Sequence, residues 1–177
     1  MLSVEYRGVE GWCEFMIIMG VDPGTAITGY GLVKVENNRH IVLGYGAIRT
    51  SAQQSTAGRL ETIYSELKNL ITEFRPDCLA VEELFFNKNV ASALAVGQAR
   101  GVAILAGAHA GLPVAEYTPL QVKMAVTGYG RASKEQVAYM VKTLLGLREA
   151  PKPDDVTDAL AICVCHGYNA NNWGRAK

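Results

Sequence analysis

The sequence predicts an α/β fold built on a mixed β-sheet, and three observations carry that prediction. Three β-rich runs come first, joined closely enough to pair antiparallel. Strand-like and helix-like segments then alternate along the rest of the chain. The 177 residues, 49% hydrophobic and 19% charged, are enough for one domain with a sizeable core.

Met16–Val21 reads as a buried strand that ends on Asp22, followed at once by Pro23 and Gly24. Tyr30–Glu36 and Ile41–Thr50 are apolar, β-rich runs joined by "NNRH", and Asn37-Asn38 tolerates the positive φ that a tight hairpin needs. The period then changes. Between Ser55 and Phe74, the residues Leu60, Ile63, Tyr64, Leu67, Leu70, Ile71 and Phe74 recur at helical steps, and Pro76 stops the helix. "CLAVEELFF" is a short strand that again ends on acid, at Glu82 and Glu83. An Ala/Gly-rich helix is expected from about Asn89 to His109, then a strand at "PVAEYT" and a helix over Pro119–Val126. Ser133 and Gln136 form a capping box that opens a helix reaching Leu147. A Pro-rich loop leads to a final helix from Asp154 to Tyr168. Residues 1–15 lack periodicity and are expected to be a disordered extension or an upstream start, since Met16 opens the first strand. The folded domain is expected over residues 16–169, with residues 170–177 a flexible tail.

Composition excludes several function classes. Lys plus Arg equals Asp plus Glu, 17 against 17, so no global charge draws the chain to nucleic acid. Cys13, Cys78, Cys163 and Cys165 include no CxxC pair, and buried thiols in a reducing compartment are the expectation. "VASALAVGQARGVAILAGAHAG" is interrupted by Gln98, Arg100 and His109, so no membrane span is expected there. The opening residues show no basic start followed by an apolar block, which favours the cytoplasm.

Acids adjoin apolar structure in three places. Asp22 ends the first strand, Glu82 ends the strand after the first helix, and Asp154, Asp155 and Asp158 open the last helix. Sites in open α/β sheets gather at the carboxyl ends of strands. Helical spacing puts Asp158 on one face with Asp155 or Asp154. Val156, Ala159, Leu160 and Cys163 would dock that helix on the sheet and bring its acids toward the strand ends. Clustered carboxylates repel unless cations bind them, and an all-oxygen set suits a hard ion such as Mg²⁺ or Mn²⁺. Each acid also has an ordinary reading: a turn residue at Asp22, a solvated strand end at Glu82, helix-dipole complements at Asp154 and Asp155. Between Tyr117 and Arg148 lie Lys123, Arg131, Lys134, Lys142 and Arg148 against the single acid Glu135, a local basic excess suited to phosphates.

These segments resemble the bacterial RuvC family of Holliday-junction resolvases over about Met16 to His166. "GVDPGTAITGYG", "AVEELFFNKNVASALAVGQARGV", "VTGYGRASKEQV" and "DDVTDALAIC" are similar to that family's four motifs. The resemblance implies a ribonuclease H-like fold and a homodimer. It also implies Mg²⁺-dependent cutting of two opposed strands in a four-way DNA junction, leaving 5′-phosphate and 3′-hydroxyl ends. It places the family's four catalytic, metal-binding acids at Asp22, Glu82, Asp155 and Asp158, holding two ions, and so selects Asp155 over Asp154. It matches basic positions to Lys123 and Lys134, and the junction-facing aromatic to Phe85. Arg131, in the Gly-rich loop before Ser133, is a further DNA-binding candidate. The resemblance also implies work beside the RuvA and RuvB branch-migration complex, and a dimer contact on the helix bearing Gly97 and Gly101. Residues 1–15 have no family counterpart, and Glu83 and Asp154 add negative charge beside the site. The competing readings are a related RNA-processing nuclease, a nucleotide-binding module, and a junction-binding protein without catalysis.

Overall fold

A computed structural model of the chain describes residues 15–83 and 90–173. Five strands form one sheet in the order β3-β2-β1-β4-β5. Strands β1 (Phe15–Asp22), β2 (Ile27–Glu36) and β3 (Arg39–Arg49) are antiparallel neighbours. Strands β4 (Cys78–Glu82) and β5 (Val114–Tyr117) then add in parallel on the other side of β1. The antiparallel triplet followed by parallel strands is the mixed, ribonuclease H-like sheet expected from the sequence. Asn37 and Asn38 take φ of 49° and 62°, the paired left-handed geometry of the two-residue hairpin turn. Strand β2 begins at Ile27, three residues earlier than the apolar run suggests, because Asp22 still pairs with Gly29.

Strand alternation sends successive side chains to opposite faces, and each face has its own helices. Met19, Val21, Leu79 and Val81 point toward helices α1 (Thr56–Phe74) and α2 (Val90–His109). Helix α1 fits the sequence reading: Ser55 caps it, Ile63, Leu67 and Ile71 are buried, and Arg75 closes it in the left-handed region before Pro76. Each fully buried side chain of that size contributes about 1.5–3 kcal/mol. Ile18, Val33, Val35, Cys78 and Ala80 point the other way. There they meet α3 (Pro119–Thr127), α4 (Lys134–Leu144) and α5 (Asp154–Trp173). Cys78, Cys163 and Cys165 are buried free thiols, as expected, while Cys13 lies outside the described residues. No helix among the described residues is long and apolar enough to cross a membrane.

Two helix ends differ from the sequence reading. Helix α4 stops at Leu144 rather than Leu147, because Gly146 takes φ of 62° and the Leu147 N–H donates to the Lys142 carbonyl at 2.9 Å, turning the chain away. Helix α5 continues to Trp173, so residues 170–173 are helical rather than part of a loose tail. The extension proper and Phe85 lie outside the described residues.

Candidate active site

Two adjacent parallel strands deliver the first two carboxylates. Val21 pairs with Val81, so Asp22 and Glu82, the next residues of β1 and β4, end side by side. Alternation then fixes their face. Asp22 follows Ile18 and Gly20, and Glu82 follows Cys78 and Ala80, all on the side that packs α3, α4 and α5.

Helix α5 supplies the remaining acids, and glycine decides how close it comes. A Cβ on Gly29 would collide with the Asp155 carbonyl, and one on Gly20 would collide with the Ala159 carbonyl. Bare backbone at these positions lets the first turns of α5 lie directly on β1 and β2. Gly29 is also the cross-strand partner of Asp22. The residue opposite the first carboxylate is therefore the one that α5 rests on. Val156, Ala159, Leu160 and Cys163, the stripe read from the sequence, are all buried.

The electrostatics record this convergence. Burial first, then Asp158, Glu82 and Asp155, push the Asp22 carboxyl up to about 7, with Lys134 opposing. Burial and Asp158 push Glu82 up to about 7, against Lys123 and Lys134. Burial also raises Asp158, again opposed by Lys134. Asp22 thus feels the other three acids, and Asp158 acts on Glu82 as well. Among the described residues, however, no three Asp, Glu, His or Cys side chains are arranged to hold a metal ion as they stand. Asp158 instead faces Lys134, whose Nζ is 3.7 Å from Oδ2 of both Asp158 and the exposed Asp154. The donor set still fits a hard cation. It is all carboxylate, partly desolvated and mutually repelling, with Asp22 and Glu82 costly to ionise unless positive charge joins them.

The basic residues divide. Lys134 opens α4 behind the Ser133 capping box and reaches the acids, and Lys123 on α3 is close enough to depress Glu82. Arg131 is exposed in the loop between α3 and α4. Arg148 lines a separate hollow with Tyr45 and Lys152, which none of the four acids lines.

Sequence reasoning missed Arg100, reading it only as a charge that interrupts an apolar run. Its Nε donates to the Glu82 carbonyl at 3.0 Å, and its guanidinium pairs with Glu116. The available signal was a lone cation in an Ala/Gly-rich helix, which needs partners wherever it is partly buried.

Known proteins share this arrangement of elements. The family model described as crossover junction endodeoxyribonuclease RuvC matches residues 18–166. The RuvC crossover junction endodeoxyribonuclease of Desulforamulus reducens is 57% identical over 159 residues, covering 90% of this chain and 98% of that protein. The counterpart from Moorella thermoacetica is 62% identical over 151 residues, covering 85% and 90% respectively. Among solved structures, T. thermophilus RuvC in complex with Holliday junction substrate is similar with a TM-score of 0.85 and 40% identity, covering 89% of this chain and 96% of that one.

Proposed function

The chain belongs to the RuvC family of crossover junction endodeoxyribonucleases, and we propose on that premise that it is a Holliday-junction resolvase. It binds four-way DNA junctions as a homodimer in the cytoplasm and nicks two opposed strands, leaving 5′-phosphate and 3′-hydroxyl ends. The observation that supports the chemistry best is the glycine-permitted seating of α5, with Asp158 acting on both Asp22 and Glu82 and Asp155 acting on Asp22.

Those four acids would hold two Mg²⁺ ions, with Mn²⁺ as a substitute. When bound, such ions neutralise the acids and stabilise charge on the attacking and leaving oxygens of an in-line displacement. The chain's own groups do the rest. Lys134, which stands beside Asp158, would offer its ammonium to the scissile phosphate, and Lys123 would add a second positive charge beside Glu82. Arg131 grips the DNA backbone from its exposed loop, and Phe85 offers a flat apolar surface to an unpaired base. Water attacks the phosphorus in line and the 3′ oxygen leaves. The exposed face of α2, carrying Leu94 and Leu105, seats the second subunit, and a two-fold pair aims two sites at symmetric strands. The RuvA and RuvB branch-migration complex delivers the junction.

The test is incubation of a synthetic four-way junction with Mg²⁺ and either wild type or Asp22→Asn. Paired, symmetric nicks by the wild type and none by the mutant are expected. No paired nicks by the wild type, or undiminished cutting by the mutant, would sink the proposal.

A further inference from the structure

Helix α2 carries one Lys or Arg in twenty residues, Arg100. The side chain is only 19% exposed, so its donors need protein partners. Both acceptors it finds lie at the edge of the sheet where the acids stand. Nε donates to the main-chain carbonyl of Glu82 at 3.0 Å, and the end of the guanidinium pairs with the Glu116 carboxylate on β5. Glu82 is the last residue of β4, where it pairs with Tyr117, and the Glu83 N–H donates to the Tyr117 carbonyl at 2.8 Å. The strand thus stops just after the residue whose carboxylate the site needs. A strand terminus held by its last ladder bond alone would fray.

We propose that Arg100 is the positioning residue for Glu82, clamping the end of β4 to β5 and α2 and so fixing where the Glu82 carboxylate stands. The idea rests on the placement of Glu82 in the active site. The bond goes to the main chain, so the carboxylate stays free to face Asp158, Lys123 and Lys134. A planar guanidinium grips two acceptors in fixed directions, which a single ammonium nitrogen does not reproduce. Arg100 lies next to Gly101 on the helix, and Gly101 is on the exposed face with Leu94 and Leu105. The helix offered to a second subunit is therefore the helix that holds the strand end.

Arg100→Ala and Arg100→Lys in the full chain separate the possibilities. Junction affinity is measured in EDTA, single-turnover cutting with Mg²⁺ at saturating enzyme, and amide exchange at Glu83. We expect affinity within about twofold of wild type and cutting slowed at least about tenfold in Arg100→Ala, the scale of loss a small misplacement causes. Exchange at the Glu83 amide should quicken while β1 and β2 keep their protection. Arg100→Lys keeps charge for Glu116 and guards against a variant that fails to fold, and it should remain slow. A wild-type cutting rate in either variant overturns the proposal, as does a defect that vanishes at saturation or unchanged exchange at Glu83. A wild type that cuts no junction sinks the proposed function instead, and the exchange measurement still decides whether the clamp exists.

Discussion

Ionising Asp22 costs free energy twice, once for leaving water and once for facing Asp158, Glu82 and Asp155, and its carboxyl therefore titrates at about 7. Glu82 does the same. Both values lie above those of the unfolded chain, so between roughly pH 4 and pH 7 these two groups hold more protons in the folded state, and their share of the stability falls as pH rises. Buried His166, pushed down to about 4, adds stability over the lower part of that range, so the acids' slope is read in EDTA as a difference between wild type and a variant lacking one of them. Asp22→Asn should flatten that slope and raise stability at pH 8 by about 1–2 kcal/mol, allowing for partial exposure. Adding Mg²⁺ at pH 8 should stabilise wild type more than the mutant. Thermal melts of both proteins across pH decide this, and a stability difference between them that does not grow from pH 5 to 8 in EDTA contradicts it. Asp154 and Asp155 offer a sharper contrast. Asp154 is 75% exposed on its side chain and pairs with Lys134, whereas Asp155 is half-buried and acts on Asp22. Asp155→Asn should slow junction cutting by at least about a hundredfold, the scale of losing a group that stabilises the transition state. Asp154→Asn should stay within about threefold of wild type, since exposed pairs contribute little. Gel-resolved cutting rates that ranked the two mutants the other way would reverse the assignment.

Helix α5 shows why elements were easier to read than their seating. Period, caps and breakers are local signals, so α1, the Asn37-Asn38 hairpin and the Ser133 capping box stood plainly in the chain. Asp22, Glu82 and Asp155 stand out in the chain for a related reason: each lies at the end or start of an element, where an apolar run gives way to charge, and Asp158 follows one turn into α5. The contacts that bring these acids near one another are not local. Gly29 looks like any strand glycine until β2 lies beside β1 and α5 crosses it. Arg100 looks like a stray charge until α2 meets the end of β4. The end of α4 also escaped, because a left-handed Gly146 is decided by how the chain turns into the next loop. Gly29→Ala tests the seating directly. Its methyl would press on the Asp155 carbonyl and lift the start of α5 from the sheet. We expect destabilisation of about 1–3 kcal/mol, the usual cost of overpacking. Cutting should fall further than binding, because the displaced helix carries Asp155 and Asp158. A variant with wild-type stability and rate would show that α5 can move without consequence.

At the scale of the whole molecule, paired cutting needs two copies of this site held in a fixed relation, and the monomer offers a surface for that. Leu94 is 65% exposed and Leu105 47% exposed on α2. Gly101 lies between them, with open space where its Cβ would be. These residues share one side of the helix, four and seven positions apart, so a second backbone could approach Gly101 with a leucine packed on either side. A two-fold contact would bring the same patch from both subunits together. Leu105→Glu would place two like charges in that contact while leaving the monomer's core untouched. Sedimentation should show wild type as a dimer and the variant as a monomer at micromolar concentration, with unchanged helical content by circular dichroism. On a four-way junction the monomeric variant should give unpaired nicks at most. A cruciform plasmid makes the difference visible, because paired nicks within one binding event yield linear DNA and single nicks yield only open circles. Efficient linearisation by a monomeric Leu105→Glu would mean that paired cutting does not depend on this face of α2.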